Sequence, residues 1–323
     1  MATKLGTKGT VKKTFGEKEV LKEVLNGITV YEKPETNVPY ITISSPNSFS
    51  FKTTNGSKNW NGTLELSQDG TNWSTWNGAQ INVLGISESR IYIRGTSNTY
   101  ICGALSGKGW QITSGSNIKV KGNVENLLDY ATVMNGQHPT VGERAFTNLF
   151  SGFGSALTDV SELIIGCETL SKQACTYMFQ ETAITLPPIC KAKYLAGTGA
   201  FSNMFYECRS LTKVMDLNSI ETINGQSFMS MYRNCSALTQ INNLKWNPGS
   251  YNTVYQLMYE YCPLIKISET QTGEYVNEFR IPSVGTGTAT GTNVFQGMFS
   301  NTGGTYTSDP VINTTYYTSN QIV

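Results

Sequence analysis

The stretch AFSNMFYECRSLTKVMDL, from Ala200 to Leu217, recurs as SFMSMYRNCSALTQINNL, from Ser227 to Leu244, an offset of 27 residues. Phe201, Met204, Phe205, Cys208, Leu211, Val214 and Leu217 map onto Phe228, Met231, Tyr232, Cys235, Leu238, Ile241 and Leu244, and all seven positions stay apolar. A third copy follows at Tyr255, Met258, Tyr259 and Cys262, and continues as Leu264 and Ile267 after a one-residue deletion past the cysteine. Upstream, Phe146, Leu149, Phe150, Leu157, Val160 and Leu163 fit the same template with one inserted residue before Leu157, whereas Cys175, Met178 and Phe179 fit only its first half. A last copy begins at Phe295, Met298 and Phe299 after an insertion, so the chain reads as a protein of about six repeats.

Within a unit the first four apolar positions are spaced i, i+3, i+4, i+7, the pattern of one face of an α-helix, and the Leu, Val/Ile, Leu that follow suit a short strand. The expected fold class is therefore α+β. A unit of this size cannot bury its apolar face alone, and a period of this length falls in the leucine-rich-repeat range, so the copies are expected to stack as a short solenoid. A parallel ladder at about 4.8 Å per copy would give roughly 25 to 30 Å of continuous sheet.

The unrepeated sequence divides the chain. Residues 1–33 are rich in Lys and Glu, with bursts VKKTFGEKEV and LKEVLNGITVY broken by Gly16 and Gly27. They read as an N-terminal anchor of short strands that gains stability by pairing with another chain, or as a solvated arm. Residues 34–122 carry alternating or β-branched runs broken by Asn-Gly and Asp-Gly, which suggests an all-β, sandwich-like domain with a hairpin at Asp69-Gly70. Trp73, Trp76 and Trp110 in this block can stack on sugar rings or serve the core. Residues 123–141 hold VENLLDYATVM, read as a helix capping the open end of the solenoid at 142–323. The Gly/Thr-rich insertion ETQTGEYVNEFRIPSVGTGTATGT before the last copy reads as a loop on one face, of a kind that often carries contacts.

Composition narrows the partners. Lys and Arg total 24 against 23 Asp and Glu, and charged residues are 15% of the chain, so no net field invites nucleic acid or an anionic membrane. No apolar run reaches membrane-spanning length and the first residues lack a secretory h-region, so synthesis and retention in a cytoplasm are expected, with release as part of a particle still open. Seven cysteines, an odd number, argue against a disulfide framework, and Cys208, Cys235 and Cys262 share one repeat position, which suits a buried reduced ladder. No CxxC pair is present, so neither a metal nor a cofactor is expected.

An enzyme is not expected either. His138 is the single histidine, and GxSxG, HExxH, P-loop and dinucleotide-binding motifs are absent. A polysaccharide depolymerase with two carboxylates brought together by the fold is the least favoured alternative. Binding is the better use of a repeat frame. The residue after each Met-aromatic or Leu-Phe pair reads Ser151, Gln180, Tyr206, Arg233, Glu260 and Ser300, a position with no shared chemistry. It is read as solvent-facing, through drift or as a binding surface, and Gln180, Tyr206, Arg233 and Glu260 join Trp73 and Trp76 as candidate ligand contacts.

MFYECRSLTKV and MYRNCSALTQI resemble the MFxxCxSLT core of the BspA-type leucine-rich repeats found in surface proteins of gut Bacteroidetes and in bacteriophages that infect them. LELSQDGTNWSTW, IYIRGTSNTY and NIKVKGNVENLLDY look like the β-rich module that leads into those repeats, so the likeness runs from about Leu64 to Phe299. Thr182 stands at the cysteine position of the second copy, and Pro187-Pro188 follows, which departs from the pattern and implies an irregular start to the array. The resemblance implies a platform for adhesion and for protein or glycan binding, with no catalytic residues. The N-terminal bursts look like the β-anchors of phage fibre and decoration proteins. Together with the missing secretion signal, they make a virion component the expected identity: a head or tail fibre or decoration protein docked on other virion proteins through residues 1–33. High copy number or homo-oligomerisation, and binding to a host-surface glycan or protein, go with that reading. A bacterial cell-surface adhesin and a purely structural capsid or tail component are the alternatives.

Overall fold

The computed structural model describes residues 38–323 except 86–87, 104–108, 269–278, 281–283, 307, 315–316 and 319–323, together with four strands near the N-terminus. Met1–Asn37 and Val38–Val323 are separate compact units. In the first, β1 (Thr14–Phe15) pairs antiparallel with β2 (Lys18–Glu19), and β3 (Lys22–Leu25) with β4 (Ile28–Glu32). Both sheets are two-stranded, an arrangement only marginally stable alone in water.

The second unit opens with β5 (Ile41–Ser45), β6 (Phe49–Thr53), β7 (Thr63–Ser67), β8 (Ser74–Trp76), β9 (Ile81–Val83), β10 (Ser89–Thr96), β11 (Trp110–Ser114) and β12 (Ile118–Asn123). Strand β10 shows why they pair as they do. Ser89, Ile91, Ile93 and Gly95 face the core while Arg90, Tyr92, Arg94 and Thr96 face out, the two-residue alternation of a half-buried strand. A three-stranded sheet, β11-β6-β9, shares a core with this block, where the Phe51 ring lies 5.2 Å from Trp76. The Asp69-Gly70 signal does mark a turn, but the connection from Ser67 to Ser74 is longer than a two-residue hairpin. Asp69 Oδ1 accepts the N–H groups of Thr71 and Asn72, both at 2.8 Å, which holds its carboxyl far below the usual carboxylate range.

The helix α1 (Asn126–Met134) packs against β10 at Gly95, where a Cβ would lie 1.7 Å from the Leu127 carbonyl oxygen. It does not cap the end of the repeats as expected. The first repeat is met instead by backbone of the β-rich block: Ile101 N–H donates to Ala145 O (2.7 Å) and Trp110 N–H to Leu149 O (3.0 Å). Further along lie β13 (Leu157–Asp159), β14 (Leu163–Ile165), β15 (Thr169–Leu170), β16 (Ile189–Cys190) and β17 (Tyr194–Leu195). These lead to β18 (Lys266–Ser268), β19 (Phe279–Arg280), β20 (Gly303–Gly304) and β21 (Tyr317–Thr318). Strands β13 and β14 pair parallel with β12, and β16 with β14, so one eight-stranded sheet joins the β-rich block to the first repeats.

The α+β leucine-rich-repeat solenoid expected from the spacing is overturned. The described residues form mainly strands in several sheets and a single α-helix, and among them the repeats contain no α-helix, only a 3-10 turn at Gly154–Ala156. Nor, among the described residues, does one parallel ladder of strands run through all six copies, since the other parallel strand pairs are the short β15–β17 and β18–β20. Each MFxxC segment is instead a flat tier of turns. Asn203, Glu207, Gln226, Ser230 and Asn234 all have φ between 53° and 63°, so a left-handed residue interrupts the right-handed backbone every four residues.

That alternation splits the backbone donors into two sets. Met204 N–H and Tyr206 N–H close local turns onto Phe201 O (3.2 Å) and Asn203 O (3.1 Å). Phe201, Asn203, Phe205 and Glu207 donate to Ser227, Met229, Met231 and Arg233 of the next tier, at 2.9 to 3.0 Å. A helix would use every donor internally and leave none for the neighbour. The turn ribbon keeps the i, i+4 repeat of side chains and satisfies the backbone between tiers.

Side chains then stack in columns. Phe150, Phe179, Phe205, Tyr232, Tyr259 and Phe299 follow one another in near-parallel planes at 5.4 to 5.7 Å. A second column runs Phe201, Phe228, Tyr255, Phe295. The repeat positions are buried as expected, with two exceptions. Val214 is only partly buried, and Leu264 is 49% exposed while Ile265 is 1% exposed. Ile265 N–H bonds Cys262 O as Leu238 N–H bonds Cys235 O, so the third copy needs no deletion after its cysteine.

Candidate functional site

Of the six candidate ligand contacts, three are brought together. Tyr206, Arg233 and Glu260 come from successive tiers and form a row: the Arg233 guanidinium lies 5.8 Å from the Tyr206 ring centroid, and its Nε is 2.5 Å from Glu260 Oε2. That last approach lacks hydrogen-bond alignment, so the contact is ionic rather than a directed N–H···O bond. Burial, followed by its hydrogen bond to Glu207, raises the Tyr206 hydroxyl above the ordinary phenol range. The position is not uniformly solvent-facing. Ser151 is 1% and Glu260 9% exposed, whereas Gln180, Tyr206 and Arg233 are half-buried and Ser300 is exposed. Gln180 is engaged sideways, donating to Glu181 Oε1 at 2.6 Å.

The two tryptophans separate. Trp76 is 3% exposed, stacks on Trp60 at 5.2 Å and donates its indole N–H to Ala79 O at 2.8 Å, so it is a core side chain and presents no face to a sugar. Trp110 is likewise buried and carries the aromatic contacts on to Phe150. Trp73 is half-buried, and the Arg94 guanidinium sits 4.0 Å over its ring and 4.4 Å from Tyr130, tied by Nε to Glu65 at 2.8 Å.

The cysteines form the expected column without pairing. Cys208, Cys235 and Cys262 donate their thiols to the carbonyls of Phe179 (2.9 Å), Phe205 (3.1 Å) and Tyr232 (3.1 Å) in the preceding tier. Thr182 occupies the same place in the second copy but gives its hydroxyl to Phe179 O of its own tier at 2.8 Å, the carbonyl that also accepts the Cys208 thiol. Burial pushes the Cys208 and Cys262 thiols up to about 12 and Cys190 to about 11, so none is a ready nucleophile. Among the described residues no group of three or more His, Cys, Asp or Glu side chains is placed to hold a metal ion. His138 leans on Glu125, 2.8 Å from Nδ1 to Oε1, and Glu125 is 2% exposed and also accepts from Asn123 Nδ2 at 3.0 Å.

A cleft of about 580 Å³ between two tiers lay outside the sequence reading. Ile220, Glu221, Thr222 and Ile223 form one lip, Lys245, Trp246 and Asn247 the other. One side chain bridges the two lips. Trp246 is wedged into the core with its indole N–H on Ile220 O (2.9 Å), and Pro248 has no N–H to offer a ladder. Acidic and basic side chains alternate toward this cleft. Lys193 Nζ is 3.0 Å from Glu168, which lowers the Glu168 carboxyl, and Glu221 raises the neighbouring Tyr194 hydroxyl through its charge. The cleft's one signal in the sequence was a lone Trp-Asn-Pro where the flanking repeats have none. The late Gly/Thr-rich insertion falls largely outside the described residues; its end returns as Thr286 and Thr288, which bond Lys245 O and Asn247 Oδ1.

No family model matches the chain, and no curated protein or solved structure matches it either.

Proposed function

We propose that this chain is a non-catalytic virion component of a bacteriophage, a head or tail fibre or decoration protein that displays its tiers for binding to a host-surface glycan or protein. The observation that carries the binding reading is the row Tyr206–Arg233–Glu260, where an aromatic ring, a cation and an anion occupy one position of a backbone frame that otherwise repeats. The frame fixes where the side chains stand, and their chemistry is free to vary. The particle location rests on the likeness of the repeats to those of gut Bacteroidetes and their phages and on the N-terminal strand pairs, which suit a segment completed by another protein. Single glycan sites bind near millimolar, about 4 kcal/mol, and display in many copies raises avidity by roughly 10² to 10⁴.

The test uses the full chain on a glycan array and on host cells. Tyr206→Ala should weaken binding at least about fivefold at unchanged melting temperature, Arg233→Ala should do so with some loss of stability because it leaves the buried Glu260 carboxylate without its cation, and deletion of residues 1–33 should abolish incorporation into particles. Array silence with unchanged host adsorption would favour a purely structural role. Hydrolysis of capsular polysaccharide by the purified protein would overturn the non-catalytic reading.

A further inference from the structure

The ladder between tiers has a direction. Within the turn segments the N–H groups come from the earlier tier and the carbonyls from the later one: Phe146 to Ala174, Cys175 to Ala200, Phe201 to Ser227, Phe228 to Val254 and Tyr255 to Val294; outside them the sense reverses, as in Ala183 to Leu157 and Thr212 to Thr185. The β-rich block obeys the same sense, since Ile101 and Trp110 donate into the first tier. The carbonyl end of the stack is therefore closed by the protein's own backbone. The last tier has a donor row that includes Asn293, Phe295, Gly297 and Asn301, and among the described residues no further tier receives it. Its left-handed residues Asn293 (φ 53°), Gly297 (62°) and Asn301 (57°) turn these N–H groups outward in the manner of an anion-binding nest.

The chain shows what this edge accepts. Asp309 places Oδ1 2.7 Å from the Gly297 nitrogen and accepts its N–H, and the Tyr306 ring stands edge-on to Phe299 at 6.5 Å. Among the described residues, the N–H groups of Asn293, Phe295 and Asn301 have no acceptor. Beside them opens a cavity of about 480 Å³ lined by Asn293, Phe295, Asp309, Pro310, Val311 and Ile312, with Val311 67% exposed. Asp309 is itself exposed, so the carboxylate on the edge can be displaced.

We infer that this end of the ladder is a docking site for a carboxylate-bearing peptide segment of a partner protein, for which Asp309 is the resident stand-in. Aligned N–H donors carry positive partial charge and bind carboxylate more tightly than amide. The apolar residues beside Asp309 fit the flanks of an extended peptide. This site is separate from the Tyr206–Arg233–Glu260 row and stands or falls without it.

The experiment titrates the ¹⁵N-labelled full chain with a blocked hexapeptide, Gly-Asp-Pro-Val-Asp-Gly, and with its Asn counterpart. The acidic peptide should shift the amide signals of Asn293, Phe295 and Asn301, and the Asn peptide should bind at least about tenfold more weakly. Asp309→Asn weakens the resident cap and should tighten the acidic peptide severalfold, with the wild-type titration standing alone if the variant fails to fold. Equal binding of the two peptides, no shift at these amides, or preference for free glucuronate over the peptide would overturn the assignment.

Discussion

Removing one oxygen atom, by Tyr232→Phe, tests how the aromatic column is tied to the rest of each unit. The Tyr232 hydroxyl accepts the Met215 N–H at 2.9 Å, and the ring is fully buried. Phenylalanine fills the same space between Phe205 and Tyr259 but leaves that buried N–H without its acceptor, a loss of about 1–3 kcal/mol. Tyr255→Phe is the internal control. Its hydroxyl only reaches Trp246 O at 3.4 Å, and that carbonyl also accepts Thr286 N–H at 3.3 Å, so the expected cost is below about 1 kcal/mol. Urea denaturation of both variants should give a clearly lower midpoint for Tyr232→Phe at an unchanged slope. Equal midpoints for the two variants would refute the claim that the hydroxyl, rather than the ring, fixes the segment 17 residues upstream.

Two further outcomes are expected. The folded protein holds the Cys208 and Cys262 protons to about pH 12 while the unfolded chain loses them near the ordinary thiol value of 9.0, so stability is full below pH 9 and falls as pH rises through that window. Denaturation midpoints between pH 8 and 10.5 check this, and flat stability, or fast labelling of native cysteines by a thiol reagent, would count against it. Thr253 is β-branched at φ 50° with a buried hydroxyl lacking a partner, so Thr253→Gly should raise stability by up to about 1 kcal/mol. A lowered melting temperature would show that its methyl packing outweighs the strain.

The core was legible because burial is what the repeat preserves: Phe201, Met204, Phe205 and Cys208 are fully buried and their counterparts are buried too. The local conformation was misread because a turn ribbon and a helix both bring residues four apart to one face. The distinguishing signal lay at the polar positions. Gly199 and Asn203, Gln226 and Asn234, and Asn293, Gly297 and Asn301 place residues, many of them Gly or Asn, where a left-handed backbone is needed every fourth position. Of the candidate site, the row through Tyr206, Arg233 and Glu260 followed from the register alone, because equal positions in successive tiers are neighbours. Trp76 was misplaced because sequence does not distinguish a tryptophan under a sheet from one on it. The cleft at Trp246 is lined by residues outside the repeated positions, which periodicity does not encode.

The inter-tier ladder also explains how such a chain can change length. Equivalent bonds span 28 residues from Phe146 to Ala174, 25 from Cys175 to Ala200, 26 from Phe201 to Ser227, and 39 from Tyr255 to Val294, with the bonding pattern intact. Slack is taken up in the connecting segments and never in the turns. A lineage carrying this architecture can therefore gain or lose residues between tiers, or duplicate a whole tier, without renegotiating the interior, and its members will drift out of alignment while keeping the same stack.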